Sequence, residues 1–168
     1  PGIVLRQQDE AGRGAISDLL DRMRLNYSAD TDRFNLSNRF LHDWFLDNCG
    51  DGYAEKRLPE WVFELDSSHL QVLLDTLIAG DGSRADSGLA KFWTKSDRLK
   101  EDITRLAINC GEKPTVSKQS DGAWYVSIGK RGSMKKARAS VETHDGEVHC
   151  ITAKDNHVVL AGRNGHLQ

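Results

Sequence analysis

The nine residues Leu74–Gly82, LDTLIAGDG, decide the fold of this 168-residue chain. Apolar residues recur at helical spacing here and in the residues just before, so a helix is predicted over residues 66–80. Ala79 and Gly80 are small, which would let a second such helix approach closely. Asp81 then stands at the helix C-terminus, where the macrodipole disfavours a carboxylate. A cation such as Mg²⁺ would explain this acid, although an ordinary helix ending in a Gly-Asp-Gly turn explains the same residues.

The elements on either side of this helix follow a repeated order. The apolar patterns predict a strand, a helix and a hairpin over residues 3–37 and again over residues 89–129. The first helix is expected to start near Gly14, a second to follow a Ser37 cap, and another to follow a Ser96 cap. The order indicates an α+β chain with a duplicated αββαββα unit, whose first copy lacks its opening helix and strand.

Composition and charge restrict the class of protein. The chain is 38% hydrophobic and has no run of 18 apolar residues, which excludes a membrane-spanning helix. Its three cysteines are widely spaced, which argues against a disulfide scaffold and a CxxC zinc site and favours the cytoplasm. Residues 84–140 carry 13 basic and six acidic residues, whereas residues 1–83 carry eight and 15. The basic segment could face a polyanion, or it could be an ordinary solvated surface.

Two parts of the chain resemble known families. The stretch LLDTLIAGDGS, followed by FWTKS, LKEDITRLAINCG and a hairpin, resembles one unit of a LAGLIDADG homing endonuclease. LRQQ, RFNLS and LHDWF resemble the later part of a preceding unit, and KRLP resembles the segment that joins two units. The final stretch EVHCITAKDNHVVLAGRNG is similar to the C-terminal splicing block of inteins. An endonuclease placed just before such a block is the arrangement of large inteins.

The resemblance implies one and a half LAGLIDADG units followed by a C-terminal β-hairpin of the intein (Hint) splicing domain. The implied division is a partial first unit over residues 1–50, a connector over 51–65, a second unit over 66–138 and the splicing block over 139–168. Two activities are implied as well. They are autocatalytic protein splicing, which needs no cofactor, and Mg²⁺-dependent site-specific cleavage of double-stranded DNA.

For the nuclease, the resemblance assigns Asp81 to catalysis and to the divalent ion. Such helices normally pair and offer one acid each, and only one acid is visible here. Four basic residues on or beside the expected DNA-facing strands would contact phosphates, namely Lys91, Lys95, Lys130 and Arg131. Lys130 would lie near the scissile phosphate, with a solvated lysine as the plain alternative. Three nearby aromatic residues are expected in the core rather than against bases, namely Phe92, Trp93 and Trp124.

For splicing, the resemblance places Cys150 where the family has Asp or Cys, as a nucleophile that receives an acyl group. His157 would be the general acid/base for Asn cyclisation, and a buried strand cysteine is the structural alternative for Cys150. The chain begins at Pro1 without an N-terminal splicing block, and Asn164 is interpreted as a turn residue. The chain alone is therefore expected to be incomplete for both activities. It would need an N-terminal intein fragment, or the preceding part of the same precursor, within a host extein protein.

Two other hypotheses stay open on the residues alone. One is a LAGLIDADG-like DNA-binding module whose nuclease has decayed, and the other is a folded spacer inside a splicing element. Mg²⁺ dependence separates cleavage from binding, and failure to bind any duplex would favour the spacer. The expected partners are double-stranded DNA and protein rather than membrane, in the cytoplasm of a prokaryotic or phage-encoded system.

Overall fold

The computed structural model describes residues 2–129, Thr143, residues 145–147 and the backbone of residues 162–163 and 166–167. Four predicted site residues lie outside the described residues, namely Lys130, Arg131, Cys150 and His157. So do the basic run KRGSMKKAR and most of the predicted splicing block, including its first hairpin strand.

The first part of the chain forms a small antiparallel sheet with two helices. Its elements are β1 (Ile3–Arg6), α1 (Glu10–Arg22), β2 (Tyr27–Ala29), β3 (Arg33–Leu36) and α2 (Arg39–Cys49). The central strand β3 pairs with β1 on one side and β2 on the other, so the order is β1-β3-β2. A small core holds α1 against this sheet, formed by Leu20, Phe34 and Leu36.

The second part begins with a connector that contains the short helix α3 (Gly52–Glu55) and a 3-10 helix (Glu60–Glu64). The elements that follow are α4 (Ser67–Asp81), β4 (Gly82–Arg84), β5 (Ala90–Thr94), α5 (Asp97–Asn109), β6 (Lys113–Lys118) and β7 (Trp124–Gly129). They form an antiparallel sheet in the order β4-β5-β7-β6. Within the predicted splicing block, one short pairing is described, between β8 (Gly162–Arg163) and β9 (His166–Leu167).

The described residues therefore form an α+β fold with five α-helices, and its two larger sheets repeat one topology. In each repeat a strand is followed by a helix and a hairpin, and the last strand pairs between the other two. The order β1-β3-β2 in the first sheet is matched by β5-β7-β6 in the second. The repeated element order predicted from residues 3–37 and 89–129 is confirmed at the level of strand pairing.

The main core lies between one face of the second sheet and helices α4 and α5. The apolar spacing predicts nine inward helix residues, and seven of them are buried, namely Leu70, Leu74, Ile78, Leu99, Ile103, Leu106 and Ala107. The other two, Leu73 and Leu77, pack partly buried against the same core. They pack on alternate residues of the strands, namely Ala90, Phe92, Val116, Val126 and Ile128. Each fully buried side chain of this kind contributes about 1.5–3 kcal/mol of transfer free energy, so this layer supplies most of the apolar stabilisation.

Side-chain caps set the start of each main helix, and two differ from the prediction. Helix α1 starts at Glu10, before Gly14, because the Asp9 carboxylate accepts from the Gly12 N–H at 2.7 Å. Helix α2 is capped by Asn38, whose side-chain oxygen accepts from the Leu41 N–H, and not by Ser37. The predicted Ser96 cap is confirmed, and of the two residues that the sequence offers as a cap for α4, Asp66 and Ser67, the structure uses Asp66.

Asp66 also shows how a cap affects ionisation. Its carboxylate accepts from the Ser68 hydroxyl and from the His69 N–H, and these hydrogen bonds lower the pKa of Asp66 well below its ordinary value. The ionised cap is therefore retained until strongly acidic pH.

Helix α2 is amphipathic, but no residue of it is fully buried. The spacing predicts that Phe40, Leu41, Trp44 and Phe45 face a core. In the structure Phe40 is 79% exposed and Phe45 is 41% exposed, so this prediction is wrong for both. Helix α2 therefore leaves much of its apolar stripe in contact with solvent. None of the described helices is both long and apolar enough to cross a membrane.

The connector is fastened to α5 through two buried polar side chains. The Ser96 hydroxyl donates to the Lys56 carbonyl at 2.6 Å, and the same oxygen accepts from the Leu99 N–H at the start of α5. The Asp102 carboxylate accepts from the Leu58 N–H at 2.8 Å. Burial raises the pKa of Asp102 above its ordinary value of 3.8, while the Leu58 N–H and Arg98 act in the opposite direction. The backbone of the connector is thus held at Lys56 and at Leu58.

We expect Asp102→Ala to lower the free energy of unfolding by about 1–3 kcal/mol, because the Leu58 N–H then lacks its partner. Asp102→Asn keeps an acceptor and should cost less. Because the folded state holds the Asp102 proton more tightly than the unfolded chain, this group's contribution to stability falls as pH rises above 3.8. The Asn variant should therefore compare more favourably with wild type at pH 7 than at pH 4.

Urea unfolding of the three proteins at both pH values measures these differences. An Asp102→Ala variant as stable as wild type would contradict the assigned hydrogen bond.

Candidate nucleic-acid interface

Helix α4 passes directly into strand β4, with Asp81 as the last helical residue and Gly82 as the first strand residue. The backbone at Gly82 is extended, with φ −136°, so a left-handed conformation is not the reason for a glycine at this position. It is needed for space, because a Cβ there would lie 2.5 Å from the Lys91 carbonyl oxygen and 2.8 Å from the Ile78 carbonyl oxygen. The predicted glycine stop is confirmed, but its cause is this close approach of helix and sheet. The junction places Asp81 where the helix meets the sheet edge.

The cation beside Asp81 is a lysine of the connector. The Lys56 Nζ lies 3.5 Å from the Asp81 carboxylate, and both side chains are at least half exposed. An exposed pair of this kind contributes little to stability, so its interest lies in its position. Lys56 is not among the predicted site residues, although it opens the KRLP segment. The signal that could have found it is tertiary, because 25 residues separate the two partners.

Lys95 lies near the same site, directly after strand β5. It precedes Ser96, whose hydroxyl binds the Lys56 carbonyl. The Lys95 ammonium also lies 5.9 Å from the centre of the Tyr53 ring, in the connector. The predicted residues Asp81 and Lys95 therefore both lie near Lys56, which pairs with Asp81 through its side chain and binds the neighbour of Lys95 through its carbonyl. Beside them opens a largely apolar cavity of about 480 Å³, lined in part by Phe45, Leu77 and Phe92.

The outer face of the second sheet is polar and basic. Successive strand residues point to opposite faces, and the β5 residues that point to the core are Ala90, Phe92 and Thr94. The intervening side chains of β5 therefore project outward, namely Lys91 and Trp93, and the exposed Lys95 follows directly after the strand. The neighbouring strands add Ser83, Thr115, Ser117, Tyr125 and Ser127 to this face. We call this the outer face of the second sheet.

The three aromatic residues predicted for the core divide into two kinds. Phe92 is 1% exposed and Trp124 packs partly buried against the core, donating from its ring N–H to Asp97. Trp93 is 40% exposed on the outer face, so the prediction is wrong for Trp93. The reason is strand alternation, since neighbouring residues of β5 cannot both face the helices.

The first sheet presents a second basic outer face, whose residues were not predicted as site residues. Phe34 and Leu36 are buried against α1, so Arg33 and Asn35 point away from that helix. Arg6 lies opposite Arg33 in the antiparallel register and is also exposed. The repeat could have found these residues, because β1 and β3 correspond to β5 and β7.

The fit of this site to a divalent ion is partial. Asp81 offers exposed carboxylate oxygens, which suit Mg²⁺. No group of three or more His, Cys, Asp or Glu side chains able to hold a metal occurs among the described residues. Mg²⁺ is commonly held by one or two carboxylates together with phosphate oxygens and water. Asp81 therefore fits as one ligand of an ion whose other ligands come from a bound phosphate or from elsewhere.

The architecture is that of the LAGLIDADG homing endonuclease fold. It is similar to a crystal structure of I-DmoI in complex with DNA and Mn, with a TM-score of 0.53, 16% identity and coverage of 76% of this chain and 73% of that chain. A variant of I-DmoI with its target DNA in the presence of Mg matches with a TM-score of 0.52 and the same identity. Another solved match is described as a variant of the homing endonuclease I-DmoI. At this identity the similarity establishes the fold.

Two curated proteins are similar in sequence over most of the chain. The ATP-dependent Clp protease proteolytic subunit of Chlamydomonas moewusii is 29% identical over 116 residues, 68% of this chain. The iron-sulfur cluster assembly SufBD family protein ML0593 of Mycobacterium leprae is 29% identical over 108 residues, 63% of this chain. The chain spans only 11% and 12% of these relatives. No family model matches the chain.

We expect Gly82→Ala to destabilise the protein by about 1–3 kcal/mol, the usual cost of overpacking, because its Cβ would meet two backbone carbonyls. Gly80→Ala, two residues earlier in α4, is the matched control. A Cβ at Gly80 meets nothing within 4 Å, and alanine favours a helix over glycine by about 1 kcal/mol. The control should therefore be neutral or stabilising.

Thermal and urea unfolding of the two variants test this contrast. Equal stability of both variants would show that the helix–strand junction has room for a side chain.

Proposed function

We propose that this chain is the C-terminal part of an intein that carries a LAGLIDADG homing endonuclease domain. In this proposal, the outer faces of the sheets bind duplex DNA and Asp81 contributes to site-specific double-strand cleavage. The supporting observation is the position of Asp81. In the fold of a homing endonuclease, it lies at the helix–sheet junction beside the basic outer face of the second sheet.

Binding would depend on the outer faces. A ribbon of antiparallel strands fits the major groove, and lysine and arginine at its surface neutralise phosphates. Lys91 lies on the second sheet and Lys95 directly after its strand β5, and Arg6 and Arg33 lie on the first sheet. Lys130 and Arg131 follow β7 directly in the sequence, which supports their assignment to the same surface.

Cleavage would use Asp81 with Lys56. The Lys56 ammonium neutralises Asp81 in the free protein, and it is long and exposed enough to turn toward a phosphate oxygen when DNA is present. Ser96 holds the Lys56 carbonyl and Asp102 holds the Leu58 N–H, which anchors the backbone that carries the ammonium. A bound Mg²⁺ would polarise the phosphodiester and lower the pKa of an attacking water. Asp81 would hold that ion as one carboxylate ligand.

The intein proposal is supported by the curated relatives. Their names describe unrelated functions, proteolysis and iron-sulfur cluster assembly, yet each shares about one-tenth of its length with this chain. A minor segment common to otherwise unrelated proteins is typical of an inserted element. The C-terminal block then supplies Cys150 as nucleophile and His157 as general acid/base. The N-terminal splicing block would come from a separate fragment or from the preceding precursor, with the host protein as extein.

The proposal keeps the division into a partial first unit over residues 1–50, a connector over 51–65, a second unit over 66–138 and the splicing block over 139–168. The two separate cores, one in each sheet-and-helix repeat, support the boundary between the units.

In the precursor that carries this segment, Asp81→Asn should abolish Mg²⁺-dependent double-strand cleavage and leave splicing unchanged. Cys150→Ala should do the reverse, because the two sites use different groups. Cleavage is assayed on a library of random-sequence duplexes, and splicing is followed by the mass of the ligated product. Asp86→Asn makes the same charge change in the exposed turn after β4 and serves as the control.

Retained cleavage in Asp81→Asn would refute the catalytic assignment of Asp81. Binding without cleavage in the wild-type precursor, with or without Mg²⁺, would favour the second candidate function, a DNA-binding module whose nuclease has decayed. Its supporting observation is that Lys56 already neutralises Asp81.

Replacing Lys91 and Lys95 by Gln together should weaken duplex binding and reduce the slope of log affinity against log salt by about 1.8, since each phosphate contact contributes about 0.9. Arg22→Gln is the control, because α1 packs on the inner side of the first sheet and Arg22 ends that helix. Fluorescence anisotropy over a salt series gives both slopes. No duplex binding at any salt would favour the folded spacer.

A further inference from the structure

An aromatic pair occupies the middle of the outer face of the second sheet. Trp93 on β5 and Tyr125 on β7 are directly opposite in the antiparallel register. Their ring centres are 5.5 Å apart and the ring planes are inclined by 51°. Trp93 remains 40% exposed in spite of this contact. A large exposed aromatic surface between lysines has no structural role in the core, which lies on the other side of the sheet.

The charges around the pair define how it would meet a polyanion. Lys91 lies two residues before Trp93 on the same face, about 7 Å away at the rise of a strand, and the exposed Lys95 follows directly after the end of β5. Lysines at these positions can contact phosphates, and the pair between them would then be held against the base edges of a groove. Charge complementarity thus favours nucleic acid as the occupant over an apolar protein surface.

The geometry of the rings limits the type of contact. The Tyr125 ring is contacted by the tilted Trp93 ring and by the Lys91 ammonium, which lies 5.9 Å from its centre. A platform for stacking an unpaired base needs a free ring face. Two inclined rings instead make an apolar wedge. In the major groove, the apolar group that such a wedge can meet is the C5-methyl group of thymine.

We propose that the Trp93–Tyr125 pair is a specificity determinant that recognises thymine through its C5-methyl group in the major groove of duplex DNA. This inference rests on the proposed DNA-binding function and adds to it the base that this part of the sheet reads. The remaining outward side chains of the sheet are short hydroxyl residues or lysines, so the aromatic pair is the part of this described face suited to an apolar contact.

The experiment uses the 168-residue chain and duplexes that it selects from a random-sequence library. Each thymine of a selected duplex is replaced in turn by deoxyuridine, which removes the methyl group alone. Wild-type chain should lose about fourfold in affinity at one or two positions, the value of one buried methyl-sized group. With Trp93→Ala, the affinities for thymine and deoxyuridine at those positions should become equal.

Trp61→Ala is the matched control. Trp61 is 50% exposed, and it belongs to the 3-10 helix, which packs on the helix side of the sheet through Val62. Its removal should leave the deoxyuridine effect intact. Trp93→Leu and Tyr125→Ala are second variants, with circular dichroism as the check of folding. Leu should keep part of the effect, and Tyr125→Ala should reduce it.

The outcomes separate this inference from the function on which it rests. Duplex selection followed by equal affinity for thymine and deoxyuridine at every position would overturn the thymine contact and leave the DNA-binding proposal standing. A deoxyuridine effect that persists in Trp93→Ala would assign the contact to another residue and overturn it equally. Tighter binding to single-stranded oligothymidine than to duplex, lost in Trp93→Ala, would establish stacking instead. Failure to select or bind any duplex would overturn both proposals.

Discussion

The close approach of backbone at Gly82 is the constraint on which the rest of the second unit depends. With no side chain at this position, the last turn of α4 and the Lys91 carbonyl of β5 lie against the same residue. The chain therefore passes from α4 into the edge strand β4 without an intervening loop. Helix α4 lies directly on the sheet that it helps to bury. The same junction exposes Asp81 at the sheet edge, so the packing of the core and the position of the acid have one cause.

A second constraint acts on the connector. Ser96 is fully buried and serves two elements, because its oxygen caps α5 and donates to the Lys56 carbonyl. Asp102, further along α5, accepts a hydrogen bond from the Leu58 N–H. Buried polar groups of this kind are costly unless they are satisfied, and here both are satisfied by the connector. The charged end of Lys56 is thereby brought to Asp81 by contacts that are themselves part of the fold.

Because side chains alternate along each strand, the two faces of the second sheet carry different types of residue. The inner residues of β5 and β7 are apolar except for Thr94 and are covered by two helices, and the outer residues are a lysine, hydroxyl residues and an aromatic pair. The repeat places a smaller basic face on the first sheet through Arg6 and Arg33.

The sequence by itself determined the order of the elements, the buried positions of α4 and α5, the caps at Asp66 and Ser96, and the repeated topology. These depend on local spacing and on hydrogen bonds between near neighbours, which a single sequence contains. It placed Trp93 wrongly and missed Lys56, Arg6 and Arg33, and it expected a covered face on α2. Only the tertiary structure decided these positions. The buried side of a strand and the side chain that meets a distant carboxylate both depend on elements that are far apart in the chain.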